Sequence, residues 1–240
     1  MRMFDFTREN RYLRGVVCAA AIAVCAVSAV AQPQVVESVQ FGRYADDNTK
    51  LPPLRAGEKR VVFIGNSITE CWQNERPEFF KSNGYVGRGI GGQTSYNLLL
   101  RFRADALNLK PTVIVLGIGG NDIASGDEWY DEDRTFGNVV SMVELARANG
   151  VKIVLTSLLP AATYPWNPAA TGVPDKIDSL NRRISAYAKA NKIPYADYYT
   201  PLVHPGDRAL PVTFSDDGVH PTASGYAIME PVIQSILKKM

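Results

Sequence analysis

Short apolar runs alternate with longer segments of helical periodicity, and this alternation limits the possible folds more than any other feature of the chain. The runs cover residues 60–64, 85–90, 112–117, 151–157 and 193–198. They lack the strict apolar–polar alternation of a strand with one solvated face, as expected when helices cover both faces of a parallel sheet. The pattern predicts an α/β fold in which a parallel sheet forms the middle layer of a three-layer αβα sandwich.

The segments between the runs predict helices and a single domain. They cover residues 67–82, 94–108, 135–149 and 174–191. A last helical segment follows His220, with an expected interruption at Pro231, because proline removes a helical hydrogen bond. Gly150 stands where a left-handed residue is favoured at the end of a helix.

Charge composition excludes one broad class of partner. Lysine and arginine number 26 against 24 aspartate and glutamate residues, for a net charge of +2. Four arginines and only two acids lie within residues 2–14, so the remaining chain carries 22 charges of each sign. Nucleic-acid binding depends on a basic surface. Because the chain after residue 14 has no net charge, we do not expect a nucleic-acid partner.

The N-terminal segment has the pattern of an export signal. Basic residues 2–14 precede a short apolar run at 15–27 and an A-x-A sequence at 29–31. This order is typical of a secretory signal peptide, and the apolar run is shorter than the roughly 20 residues that a spanning helix needs. An uncleaved membrane anchor is the alternative. We expect an exported protein, periplasmic or extracellular, without stable membrane insertion once the signal is removed.

This pattern divides the chain into three parts. We expect residues 1–31 to be the signal peptide, residues 32–59 an N-terminal extension and residues 60–240 the functional domain. Only Cys71 then remains in the mature protein, which therefore has no internal disulfide. Its neighbours offer no activating base, so Cys71 is interpreted as a structural thiol.

Three glycine-containing loops follow the first three apolar runs. They begin at Gly65, Gly89 and Gly117. Ligands of an open α/β sheet bind outside the carboxyl ends of the strands, so these loops mark the expected site. Neither glycine pair is followed by the lysine of the P-loop pattern of phosphate binding. The loops are either tight turns or a source of N–H donors for a developing oxyanion.

Ser67 and His220 are the candidates for a nucleophile and its base. Ser67 stands at a strand-to-helix junction, where a serine is either a nucleophile or a helix N-cap. The chain has only two histidines, His204 and His220. Asp217 precedes His220 by three residues, with Gly218 permitting a tight turn, so His220 is either an oriented base or an exposed turn residue. His204 lacks a suitably spaced acid and is interpreted as a surface histidine.

Taken together, these motifs resemble the SGNH (GDSL-type) hydrolases. The motifs are Gly65-Asn66-Ser67, Gly92, Gly119-Gly120-Asn121-Asp122 and Asp217-Gly218-Val219-His220. The similarity runs from about Val61 to Ile236. It is greatest to the branch with the catalytic subunits of platelet-activating-factor acetylhydrolase and secreted bacterial carbohydrate esterases.

The resemblance implies a flavodoxin-like sandwich of five parallel strands and an esterase without a cofactor. It implies that Ser67 is the nucleophile and that Asp217 and His220 complete the triad. Gly92 and Asn121 would form the oxyanion hole together with the Ser67 N–H. The choice of Asp217 over the adjacent Asp216 rests on the D-x-x-H spacing of the family.

One residue departs from the family pattern. Asn66 replaces the acid of the G-D-S motif, but that position lies outside the triad, so activity is still expected. The G-x-S-x-G elbow of α/β-hydrolases is missing, which argues against that fold.

Aromatic residues and one arginine are candidates for substrate contacts. Trp129 lies in the loop after the third run, Tyr164 and Trp166 lie in the loop after the fourth, and Arg88 precedes the second glycine loop. The aromatic rings either contact a sugar or acyl chain or pack within their loops, and Arg88 either contacts substrate or fixes its loop. The acids at 127–133 are interpreted as helix-start carboxylates. No zinc-binding pattern is found, and no metal is expected.

We expect a serine esterase that hydrolyses short-chain acyl esters, above all by O-deacetylation of carbohydrates. Its substrate would be either a small-molecule ester or a polysaccharide ester. The chain leaves no insertion for a lid, which favours an open site and short acyl groups. A lysophospholipase or thioesterase for longer acyl chains is the first alternative. A non-catalytic glycan-binding protein and a flavodoxin-like nucleotide or flavin binder are the others.

Overall fold

Five parallel strands form the central sheet in the computed structural model, which describes residues 37–240. They are β1 (Val61–Gly65), β2 (Val86–Gly89), β3 (Val113–Gly117), β4 (Lys152–Thr156) and β5 (Tyr195–Ala196). Their order across the sheet is β2-β1-β3-β4-β5, and every neighbouring pair is parallel. The expected α/β fold with a five-stranded parallel sheet is confirmed.

Helices connect the strands and cover both faces of the sheet. They are α1 (Ala45–Lys50), α2 (Ser67–Glu75), α3 (Pro77–Asn83), α4 (Ser95–Asp105), α5 (Gly120–Ala124), α6 (Glu132–Ala148), α7 (Val173–Ala190), α8 (Tyr199–Leu202) and α9 (Ala223–Leu237). A short 3₁₀ helix covers Leu107–Leu109.

Two of the predicted helix boundaries are wrong, and proline is involved in both. The helix expected over 67–82 is divided because Arg76 leaves the helical conformation (φ −131°, ψ 55°) and Pro77 begins the next helix. A residue before proline is pushed out of the α region by the proline ring. Conversely, α9 continues through Pro231, where an interruption was expected. Its buried side chains on both sides of the proline, Met229 and Ile233, hold the helix against the sheet.

Alternate residues of each central strand enter different cores, as the two-residue period of a strand requires. One core contains Ile64, Leu116 and Leu155 with side chains of α4, α6 and α7. The opposite core contains Phe63 and Val115 with side chains of α2, α3 and α9. The sheet is therefore buried on both faces, which explains the apolar runs of the sequence and completes the three layers.

Residues 41–59 belong to the same compact unit as the sheet, which comprises Phe41–Met240. The Tyr44 hydroxyl donates to the carbonyl of Gly89, and Arg88 Nε donates to Asn48 Oδ1 at 2.7 Å. These contacts hold the segment against the edge strand β2.

The expected signal peptide at 1–31 and the first residues of the expected extension at 32–36 lie outside the described residues. Within residues 37–240, no helix combines the length and the apolar character that crossing a membrane requires.

Candidate active site

The nucleophile candidate Ser67 is the first residue of α2, and its neighbour Asn66 is the cap of that helix. Asn66 Oδ1 accepts a hydrogen bond from the Ile68 N–H at 3.0 Å. Asparagine caps a helix about as well as aspartate, which explains how the sequence tolerates Asn66 where the related motif has an acid. The Ser67 hydroxyl is not the cap and remains available for other contacts.

His220 connects Ser67 to Asp217. The imidazole Nε2 lies 2.9 Å from Ser67 Oγ, and Nδ1 lies 2.6 Å from Asp217 Oδ2. An ionised carboxylate accepts hydrogen bonds but donates none, so the imidazole proton lies on Nδ1, the atom facing Asp217. Nε2 is therefore free to accept a hydrogen bond from the Ser67 hydroxyl. Ser67, His220 and Asp217 therefore form one continuous hydrogen-bonded chain, although Ser67 is distant from the other two in the sequence.

The turn before α9 holds Asp217 in place. Asp217 Oδ1 accepts the backbone N–H groups of Val219 at 2.9 Å and of His220 at 2.7 Å. The Ser215 hydroxyl donates to the same oxygen at 3.2 Å. Gly218 has φ +77°, a backbone conformation that residues with a side chain rarely adopt. The turn thus directs the second carboxylate oxygen of Asp217 towards the imidazole.

These hydrogen bonds keep Asp217 ionised. Partial burial disfavours the charged carboxylate, but the hydrogen bonds from the His220 ring and from the backbone N–H groups of His220 and Val219 outweigh it. They lower the pKa of Asp217 to about 2. Asp217 is therefore an anion throughout the neutral range and suits the role of orienting and balancing a protonated imidazole.

The glycine loop after β2 lies beside Ser67. A Cβ atom on Gly91 would lie 3.8 Å from Ser67 Cβ and 3.1 Å from Glu70 Oε2. The Gly91 N–H donates to Glu70 Oε2 at 2.7 Å. Gly92 has φ +74°, so the chain turns at this residue. Within residues 37–240, the Gly92 N–H donates to no backbone carbonyl.

Asn121 faces the same loop from α5. Its Nδ2 donates to the carbonyl of Gln93 at 3.0 Å, and an amide nitrogen has a second proton to donate. The next residue, Asp122, is buried and accepts the Ser95 N–H at 2.9 Å and the Ser95 hydroxyl at 2.5 Å. Burial raises the pKa of Asp122, against the effect of these hydrogen bonds. Asp122 thereby joins the loop after β3 to the start of α4.

Arg101 of α4 forms hydrogen bonds to the ends of β1 and β2, the two strands that precede Ser67 and the Gly91-Gly92 loop. The guanidinium is fully buried. It donates to the carbonyls of Gly65 at 2.9 Å and Arg88 at 3.0 Å, and also to the side chains of Gln93 and Asp105. One side chain therefore fixes the end of β1, the end of β2 and the loop between β2 and α4.

Sequence reasoning did not identify Arg101 or Glu70. The signal for Arg101 was available: Leu98, Arg101, Phe102 and Asp105 follow the helical period of the buried face of α4. An arginine and an aspartate four residues apart on an apolar helix face indicate a buried pair. No comparable signal exists for Glu70, because its contact with Gly91 depends on how α2 packs against the loop after β2.

The candidate substrate residues occupy different environments. Trp129 and Trp166 are exposed at 72% and 52%, whereas Tyr164 and Arg88 are buried. Trp166 stacks on the His220 ring with centroids 5.9 Å apart, and Tyr164 lies behind Trp166 at 5.4 Å. Arg88 donates to Asn48 and to the carbonyl of Gly87.

The expectation that His204 lacks an acid partner is wrong. His204 Nδ1 lies 2.9 Å from Asp207 Oδ1 in an exposed turn. This acid follows its histidine by three residues, whereas Asp217 precedes His220 by three. The pair resembles Asp217 and His220 in spacing, but only His220 contacts Ser67.

An apolar cavity of about 70 Å³ lies against the loops of the site. Its wall includes Asn66, Gly120 and Val219, each of which is the chain neighbour of Ser67, Asn121 or His220. Within residues 37–240, no group of three or more His, Cys, Asp or Glu side chains is arranged to hold a metal ion.

The sequence profile of the GDSL-like lipase/acylhydrolase family matches residues 63–228, a range that contains Ser67, Asn121, Asp217 and His220. The chain belongs to this family. The resemblance to the SGNH (GDSL-type) hydrolases is thereby confirmed, and membership of the GDSL-like acylhydrolases supports carboxylic ester hydrolysis.

Individual relatives agree with this assignment. The crystal structure of a GDSL-like lipase from Bacteroides thetaiotaomicron is 53% identical with a TM-score of 0.82, covering 84% of this chain and 98% of that one. An acetylxylan esterase from Xylanibacter ruminicola is 24% identical over 225 residues, 78% of this chain and 45% of that protein. An uncharacterized lipoprotein of Bacillus subtilis is 36% identical over 121 residues, 43% of this chain and 50% of that protein. The matches span about half the length of these two curated relatives.

Proposed function

We propose that this protein is a serine esterase that hydrolyses short-chain acyl esters, acetyl esters above all, through a covalent acyl-enzyme. The observation that carries the proposal is the hydrogen-bonded chain from Asp217 through His220 to Ser67. A serine hydroxyl is a weak nucleophile until a neighbouring base removes its proton, and that base needs a third group to orient it. Each member of the chain meets one of these requirements.

The reaction proceeds in two halves. Ser67 Oγ attacks the ester carbonyl as its proton passes to His220 Nε2, and a tetrahedral intermediate forms. The bond to the alcohol oxygen then breaks, and His220 returns the proton to that oxygen, which leaves an acyl group on Ser67. His220 next removes a proton from water, the resulting hydroxide attacks the acyl carbonyl, and the acid departs as Ser67 recovers its proton.

Three N–H groups are proposed to hold the oxyanion: the backbone N–H groups of Ser67 and Gly92 and the side-chain amide of Asn121. The Ser67 N–H belongs to the first turn of α2, where backbone donors have no acceptor inside the helix. The side-chain amide of Asn121 donates one Nδ2 proton to the carbonyl of Gln93 and has a second proton to donate to the oxyanion. Preorganised donors of this kind stabilise the charge that develops on the carbonyl oxygen.

One feature supports a short acyl group. The segment between β4 and α7, from Ser157 to Gly172, is too short to form a lid domain over a long chain. An acetyl group fits such a site better than a fatty acyl chain.

Exposed aromatic rings support a carbohydrate as the alcohol part of the ester. Trp166 lies against His220, and Trp129 and Tyr96 line a groove of about 540 Å³ that also contains Thr94 and Ser125. Ser125 donates to the Asn121 carbonyl at 2.8 Å, so the groove adjoins the proposed oxyanion donor. Large rings with polar neighbours suit the apolar faces and hydroxyl groups of a sugar chain. The relative in Xylanibacter ruminicola is an acetylxylan esterase.

Export is part of the proposal. The sequence pattern at 1–31 is that of a signal peptide, and the Bacillus subtilis relative is named as a lipoprotein. We infer that the mature protein begins near residue 32 and works outside the cytoplasm. An exported esterase has access to polysaccharide esters outside the cytoplasm, which fits the proposed substrate class.

The test compares hydrolysis of p-nitrophenyl acetate and p-nitrophenyl octanoate by the wild type and Ser67→Ala. Ser235→Ala, which removes an exposed hydroxyl of α9, is the matched control. We expect acetate turnover to exceed octanoate turnover, to disappear in Ser67→Ala and to persist in Ser235→Ala. Octanoate preference would contradict the acyl specificity, and turnover that survives Ser67→Ala would contradict the mechanism.

A further inference from the structure

Glu70 connects the glycine loop after β2 to the N-terminal segment. Its Oε2 accepts the Gly91 N–H at 2.7 Å, and its Oε1 accepts Arg43 Nη2 at 2.8 Å. Glu70 belongs to the first turn of α2, three residues after Ser67. One carboxylate on the helix of the nucleophile therefore has two partners, a backbone amide of the loop and a guanidinium from residues preceding the sheet.

The contact with Gly91 fixes the loop relative to Ser67. A Cβ atom on Gly91 would lie 3.1 Å from Glu70 Oε2 and 3.8 Å from Ser67 Cβ, so this residue packs between the two side chains. Gly92, the proposed backbone donor to the oxyanion, is the next residue in the chain. A shift of Gly91 would therefore change the position of the Gly92 N–H relative to the reacting carbonyl, and catalysis by such donors depends on their geometry.

The charge of Glu70 creates a conflict that Arg43 resolves. A carboxylate within one helical turn of Ser67 lies near the place where the proposed reaction builds negative charge. Two like charges at this range repel each other, which would slow the formation of the oxyanion. The Arg43 guanidinium neutralises the carboxylate while leaving Oε2 free to hold the Gly91 N–H.

We propose that Arg43 and Glu70 form a charge-balanced clamp that positions the oxyanion loop. Glu70 holds Gly91 in place, and Arg43 cancels the charge of Glu70. Both are positioning residues that act through Gly91 and Gly92 without contacting the substrate. The inference rests on the proposed esterase function and adds the N-terminal segment to the residues on which catalysis depends.

The surroundings of Arg43 agree with this role. The following residue, Tyr44, donates its hydroxyl to the carbonyl of Gly89, at the start of the same loop. Arg88 lies over the Tyr44 ring at 4.8 Å and donates to Asn48. The segment is therefore fixed to the edge strand at several points, and Arg43 is held within reach of Glu70.

The test is a double-mutant cycle on full-length protein, with p-nitrophenyl acetate as substrate. Arg43→Ala is expected to lower kcat about tenfold at about 0.01 M salt, with KM nearly unchanged, because it exposes the charge of Glu70. The loss should shrink at about 1 M salt, where exposed charges are screened within about 3 Å. Adding Glu70→Gln to Arg43→Ala should restore most of kcat, because a glutamine Oε1 still accepts the Gly91 N–H without a charge.

Two control variants are needed. One shows whether the loss of any arginine–glutamate pair lowers kcat, and the other tests the esterase mechanism independently of the clamp. Arg76→Ala breaks another arginine–glutamate pair, at the end of α2, where Arg76 Nε contacts Glu230 at 2.7 Å, and should leave kcat unchanged. Ser67→Ala tests the nucleophile in the same assay. The clamp is refuted if Ser67→Ala is inactive while Arg43→Ala keeps wild-type kcat at low salt. It is equally refuted if Glu70→Gln brings no recovery to Arg43→Ala. Turnover in Ser67→Ala would instead refute the esterase mechanism.

Discussion

The indole of Trp166 stacks on the imidazole of His220, with ring centroids 5.9 Å apart and planes inclined at 28°. Trp166 belongs to the loop between β4 and α7, and the residue is about half exposed. Its ring therefore covers the proposed base and leaves apolar surface exposed next to it.

Replacement of Trp166 should affect a sugar ester more than a small ester. Trp166→Ala is expected to lower kcat/KM on acetylated xylo-oligosaccharides about tenfold, since an aromatic contact contributes about 0.5–1.5 kcal/mol beyond its buried area. On p-nitrophenyl acetate the loss should stay within about threefold, since that substrate has little surface to place on the ring. Trp166→Phe, which keeps an aromatic face, should recover part of the loss. Equal losses on both substrates would show that the ring acts only on His220.

Loss of the Asn121 amide should reduce turnover without weakening substrate binding. Asn121→Ala is expected to lower kcat by about 10²–10³ with little change in KM, the usual effect of removing one oxyanion donor. Asn121→Asp has the same shape but replaces the donor with an oxygen, so it should be at least as impaired. A rate close to wild type in Asn121→Asp would exclude the amide from the oxyanion hole. Steady-state kinetics on p-nitrophenyl acetate provides the measurement.

Asp217 should make folding stability depend on acid pH. Its folded pKa is about 2, below the value of about 3.9 for an unfolded aspartate. A depressed pKa stabilises the folded state above the unfolded value, and this contribution disappears as the pH falls from about 4 towards the folded value. Thermal unfolding between about pH 5 and pH 2 should therefore show a smaller decrease in Tm for Asp217→Asn than for wild type.

The neighbouring acid offers a matched control for this pH dependence. Asp216 is exposed and carries the same formal charge, so Asp216→Asn should keep the wild-type decrease in Tm. The same pair distinguishes the two acids in catalysis: Asp217→Asn should lose most of kcat, and Asp216→Asn should not. If Asp216→Asn lost activity and Asp217→Asn did not, the D-x-x-H assignment would be wrong.

Arg101 should be essential for the stability of the strand ends. Arg101→Ala removes a fully buried guanidinium together with its hydrogen bonds to Asp105 and to the carbonyls of Gly65 and Arg88. Breaking a buried ion pair in this way costs about 3–5 kcal/mol. Arg103→Ala, an exposed change on the same helix, should stay within about 0.5 kcal/mol of wild type. Urea unfolding followed by circular dichroism measures both, and similar values for the two variants would contradict the role assigned to Arg101.

The sequence predicts the sheet and the turn of Asp217 and His220 because both are encoded locally. The apolar runs that identify β1, β3 and β4 reflect burial on both faces, which each segment reveals on its own. The D-x-x-H spacing lets Asp217 accept the N–H of His220 and contact its ring within a single turn. The capping role of Asn66 is also local, although Ser67 was the residue with a predicted alternative role as N-cap.

Contacts between separate segments of the chain could not be predicted in the same way. The stacking of Trp166 on His220 and the hydrogen bond from Gly91 to Glu70 depend on how these segments pack against each other. No spacing or periodicity along the chain encodes them. The continuation of α9 through Pro231 has the same origin, since the burial of Met229 and Ile233 outweighs the local cost of the proline.

Every step of the proposed reaction requires Ser67 to form a covalent acyl-enzyme. The most direct measurement is intact-protein and peptide mass spectrometry after treatment with a fluorophosphonate, a reagent that labels activated serines. We predict one adduct per chain, located on Ser67, formed in step with the loss of p-nitrophenyl acetate hydrolysis and absent from Ser67→Ala. Inactivation with the adduct on another residue, or full activity in a protein labelled completely at Ser67, would contradict the account.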